Sequence, residues 1–89
     1  MELPVDAYRL VDKARELDSE ERMVLNYFLE NISVGALRAV KELKAKGVKN
    51  PEDIIARLVE IGLLEDKGEC YNLAAPLREL VKRKGGLKL

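Results

Sequence analysis

The stretch NPEDIIARLVEIGLLEDKGECYNL, residues 50–73, decides how this chain folds. It opens with a strong helix start: Asn50 stands as the cap, Pro51 takes the first helical position, and Glu52 and Asp53 oppose the helix dipole. Ile54, Ile55, Leu58, Val59 and Ile61 then recur at helical spacing, which predicts a helix over 51–61 ended by Gly62. Two extended runs follow, Leu63-Leu64-Glu65 and Glu69-Cys70-Tyr71-Asn72-Leu73, and Asp66-Lys67-Gly68 between them has hairpin chemistry. One of the two leucines closes the core beneath the hairpin. Its neighbour is expected to face outward or toward another chain.

Working upstream, a helix is predicted from Ser33 or Val34 to about Lys46, with Leu37, Val40 and Leu43 facing inward. Gly47 is its stop, and Val48 packs over the turn. Arg38, Lys41 and Lys44 are also three apart and make a basic stripe beside that apolar face. Earlier still, Asp18 and Glu21 form a capping-box pattern for a helix over 19–31. Met23, Val24, Leu25, Tyr27, Phe28 and Leu29 make that helix apolar on more than one stripe, so it belongs at the centre or against a second partner. Pro4 opens a first helix over 5–17, and Pro76 begins a last one over 76–84 that Gly85-Gly86 stops.

Composition bounds the rest. Eighty-nine residues make one domain, 1–89, ending in a basic tail over 85–89. No apolar run approaches the roughly 18 residues of a membrane span, and the start does not resemble a signal peptide. The single cysteine, Cys70, makes no internal disulfide, which fits a cytoplasmic setting. With no histidine, Ser–His and Cys–His nucleophilic pairs are impossible and transition-metal sites lack ligands, so neither an enzyme nor a cofactor is expected. Few amide side chains among 36% charged residues resemble hyperthermophile usage.

Sixteen basic and sixteen acidic residues give zero net charge, yet the balance is uneven. Residues 1–32 carry eight acids and four bases, whereas 33–61 and 62–89 each carry four acids and six bases. An acidic helical base therefore carries a basic second part, and such an asymmetry can mark a binding face.

Residues 34–74 resemble a winged helix-turn-helix domain. The resemblance rests on Leu37 through Lys46 as first motif helix, Gly47-Val48-Lys49 as turn, Ile54 through Glu65 as recognition helix running into the wing, and Tyr71-Asn72-Leu73 as second wing strand. The spacing Arg-Leu-Val-Glu-x-Gly-Leu-Leu-Glu followed by Tyr-x-Leu is similar to that of small archaeal and bacterial transcription regulators. The fold class implied is mainly α with a small β-hairpin, a winged helix-turn-helix carrying an N-terminal helical extension and a C-terminal helix.

The resemblance implies a DNA-binding regulator that contacts duplex backbone. Its contacts would be Arg38, Lys41 and Lys44 on the first motif helix, Lys46, Lys49 and Asn50 at the turn, Arg57 on the reader helix and Lys67 at the wing tip. Glu52, Asp53 and Glu60 on that reader helix oppose sequence-specific reading. The alternative is a protein-docking winged helix, a small subunit of a larger replication or transcription assembly. A homodimer through the N-terminal helix, with the C-terminal helix as second contributor, would serve both readings.

Overall fold

The computed structural model describes residues 5–86. Helix α1 (Val5–Arg15) leads into α2 (Ser19–Asn31), whose N-cap Asp18 accepts from the Glu21 N–H at 2.7 Å. Glu21 Oε1 accepts in turn from the Asp18 N–H at 3.1 Å, completing the capping box. Strand β1 (Ser33–Gly35) is followed directly by α3 (Ala36–Ala45). That helix ends where the Gly47 N–H reaches Lys44 O and the Val48 N–H reaches Leu43 O, with Gly47 at φ 99°. This double closure needs the left-handed backbone that glycine adopts without strain. Helix α4 (Pro51–Glu60), strands β2 (Leu64–Asp66) and β3 (Cys70–Leu73), and α5 (Ala75–Lys84) complete the chain.

The sheet is antiparallel and ordered β1-β3-β2. Ser33, Val34 and Gly35 lie opposite Asn72, Tyr71 and Cys70, and Leu64, Glu65 and Asp66 lie opposite Leu73, Asn72 and Tyr71. Phe28 of α2 is fully buried and meets Tyr27 and Tyr71 edge-on, at centroid distances of 5.2 and 6.3 Å. Leu25, Leu43, Ile55, Leu58, Leu63, Leu73 and Leu77 close around it, drawn from both motif helices, the hairpin and α5. This is the mainly helical winged helix-turn-helix arrangement expected, with a third strand added. No helix among the described residues is long and apolar enough to cross a membrane.

Several local expectations are corrected. Residues 33–35 are a strand instead of the first turn of α3, because Val34 finds its partner 37 positions away in Tyr71. With the helix starting at Ala36, its inward stripe is Ala39, Val40 and Leu43. Leu37 lies on the neighbouring stripe and is 90% exposed. Asn50 makes no side-chain cap hydrogen bond, and Pro51 and the first-turn acids open α4 without it. Leu63 and Leu64 are both buried, so neither faces outward. Pro4 and the tail beyond Gly86 lie outside the described residues.

The extra first helix spends its apolar face inside the chain. Ala7, Ala14 and Leu17 are buried, Leu10 and Val11 pack on the core, and α1 lies against α5. The Arg22 guanidinium fastens the α1–α2 turn by donating to Arg15 O at 2.7 Å and Leu17 O at 3.3 Å. The breadth of apolar surface on α2 is likewise core: Val24, Leu25, Tyr27, Phe28 and Leu29 are all buried, leaving Met23 half-exposed.

Candidate interaction surface

The eight polar and basic residues singled out by the sequence all lie on the α3–turn–α4 motif or the wing, but carboxylates claim half of them. Arg57 projects from α4 onto Glu21 of α2 at 2.6 Å, and the Glu21 side chain is only 12% exposed. Its guanidinium is therefore tied back against the body of the molecule. Arg38 pairs with Glu42 one turn on at 3.1 Å, Lys44 reaches Glu52 of α4 at 3.9 Å, and Lys67 reaches Glu65 at 3.6 Å. Lys41, Lys46 and Lys49 form no ion pair among the described residues, and Asn50 is exposed with its side chain uncommitted to the helix end. Of the reader-helix acids, Glu52 sits against one of these cations, Lys44.

Glu42 sits at a junction. It accepts from the buried Tyr27 hydroxyl as well as from Arg38. The Tyr27 hydrogen bond and Arg38 hold its carboxyl below the usual carboxylate range, although partial desolvation pulls the other way. Burial first, and the bond to Glu42 second, push the Tyr27 phenol up to about 12. This bond locks α3 to α2.

Glu65 plays the same part at the other end. Its carboxylate accepts from the Ala75 N–H at 3.2 Å, at the start of α5, and lies 3.9 Å from Arg78. The wing tip is closed by Asp66, whose carboxylate accepts from the Gly68 N–H at 2.8 Å. The hairpin is thereby short and braced toward α5, not extended as a reaching arm.

Leu37 is the residue that sequence reasoning missed. It satisfies a three-residue spacing with Val40 and Leu43, which is why it read as core. In the folded chain it shares its stripe with Lys41 and Lys44, a large apolar side chain presented almost wholly to solvent at the start of α3. A second apolar feature lies where Ile32, Ala75 and Val81 line an open hollow between the start of β1 and α5, rimmed by Arg78, Glu79 and Lys82.

Residues 18–79 match the family described as PolB1 Binding Protein 2, and the chain belongs to that family. No curated protein matches it. The family assignment corrects the expectation of a transcription regulator: from the cap of α2 into α5 the sequence matches the PolB1-binding family, not a transcription-regulator winged-helix family. Helix α1 lies ahead of the matched segment.

Proposed function

We propose that this chain is a non-catalytic docking subunit that binds the DNA polymerase PolB1. The observation that carries this reading is the family match, which spans α2, both motif helices and the whole sheet. The surface is consistent with it. Ion pairing takes up Arg57, Lys44 and Lys67, which a DNA reader would keep for the duplex, while Leu37 stands exposed as a side chain that gains from being covered by protein.

The test is co-elution of the purified chain with PolB1 on size-exclusion chromatography. A stoichiometric complex is expected, and on this reading it should persist with Lys46→Glu and Lys49→Glu together. No complex with PolB1 would overturn the reading. So would binding to duplex DNA alone that disappears with the two substitutions.

A further inference from the structure

Strand β1 has one side still open. The Leu73 N–H donates to Ile32 O at 2.7 Å and the Ala36 N–H to Glu69 O at 2.9 Å. Residues of β1 therefore alternate, with Val34 turned to β3, and the N–H and C=O of Ser33 and the N–H of Gly35 turned away from it, while the Gly35 C=O opens α3 as its N-cap. Both residues are exposed, β1 is a terminal strand of the sheet, and a Cβ placed on Gly35 would meet nothing within 4 Å. At the start of this edge lies the hollow of Ile32, Ala75 and Val81. At its end stands Leu37, two residues past Gly35.

Lys82 rims the hollow at one end of this edge, and Lys41 stands one turn past Leu37 at the other. Helix α3 carries Arg38, Lys41 and Lys44, and α5 carries Arg78, Lys82, Arg83 and Lys84; Glu42, Glu52, Glu65 and Glu79 pair with Arg38, Lys44, Arg78 and Arg83, while Lys41 and Lys82 form no ion pair among the described residues. A second copy paired on β1 would bring these cation-rich helices against their own like, in either strand direction. Self-pairing is disfavoured, and an occupant of opposite charge is favoured.

We infer that β1 is the docking edge of this protein, and that it takes an extended acidic segment of the polymerase as a fourth strand. Main-chain bonds to Ser33 and Gly35 would supply the pairing. An apolar side chain of the segment would fill the hollow over Ile32 and Val81, and its carboxylates would meet Lys82 at one end and Lys41 at the other. The inference rests on the reading of the chain as a PolB1-binding subunit and names the surface that does the binding.

Gly35→Pro is the decisive variant. Gly35 has φ −57° and ψ 141°, within proline's range, and its N–H makes no bond to β3. The substitution should leave the thermal midpoint unchanged or slightly raised, while binding to PolB1 weakens at least tenfold. Hydrogen exchange on the wild-type complex gives an independent reading: the Ser33 and Gly35 amides should gain protection when PolB1 is added. Lys41→Glu with Lys82→Glu should weaken binding in the same direction and reduce its salt dependence. Unchanged affinity of Gly35→Pro, or unprotected Ser33 and Gly35 amides in a complex that forms, would overturn the edge while leaving the polymerase reading intact. Failure of the wild-type chain to bind would overturn both. Protection of these amides without PolB1, rising with protein concentration, would assign the edge to a second copy instead.

Discussion

At the scale of single residues, the Tyr27–Glu42 bond couples α2 to α3 and ties stability to pH at both ends of the range. The Glu42 carboxyl titrates below its ordinary 4.5 in the folded chain, so its contribution is present above that value and is lost as pH falls. The Tyr27 phenol is raised from 10.0 to about 12, so its contribution holds below pH 10 and is lost as pH rises toward 12. Tyr27→Phe should lower the thermal midpoint at neutral pH by roughly 5 °C. It should also flatten the decline of stability in both the acidic and alkaline limbs, as followed by denaturation at a series of pH values. A midpoint and pH profile identical to wild type would show that the bond couples nothing. None of this was legible in the sequence, where Tyr27 and Glu42 are 15 positions apart. Leu37 shows the converse: its spacing was legible and misleading, because three-residue steps describe either of two adjacent stripes until the helix start is fixed.

At the scale of elements, α2 depends on its first turn. Asp18 and Glu21 satisfy each other's backbone donors, and the second carboxylate oxygen of Glu21 holds Arg57 of α4. Asp18→Ala should cost about 1 kcal/mol in urea denaturation, the usual loss for a helix cap. Arg57 stays held by Glu21, so the two helices should remain packed and the loss should stop there. A value near zero would mean that tertiary packing alone fixes the start of α2. The capping box could be read in advance because both partners are local. The helix-to-strand step after Gly62 was equally local, and β2 and β3 lie within a residue of expectation. Strand β1 could not be read this way. Three residues hold no alternation long enough to detect, and their partner strand is created only by folding. Ile32 marks the join: it carries φ 62° and ψ −54°, a conformation a β-branched residue adopts only under constraint. Its N–H is held by Phe28 O at 2.8 Å and its C=O by the Leu73 N–H at 2.7 Å.

At the scale of the molecule, the uneven charge that the sequence displays has a spatial meaning it did not announce. The basic half reads as a track for nucleic acid when written in a line. Folded, carboxylates claim Arg38, Lys44, Arg57, Lys67, Arg78 and Arg83, while Lys82 rims the hollow at the start of β1 and Lys41 stands one turn past Leu37. That placement governs how the unaccompanied protein behaves in concentrated solution. Repulsion between like-charged surfaces reaches about 10 Å at 0.1 M salt and only about 3 Å at 1 M. In dilute buffer the chain should therefore scatter light as a monomer. Raising the salt to 1 M should remove that protection and let edges find one another, giving dimers or larger species that Gly35→Pro does not form. A wild-type chain that stays monomeric at high salt and high concentration would show that the cations are not what keeps the edge apart. Ionic strength then acts as a colloidal safeguard on storage and purification: the strand left open for a partner is shielded, in that partner's absence, only as far as its counter-ions permit.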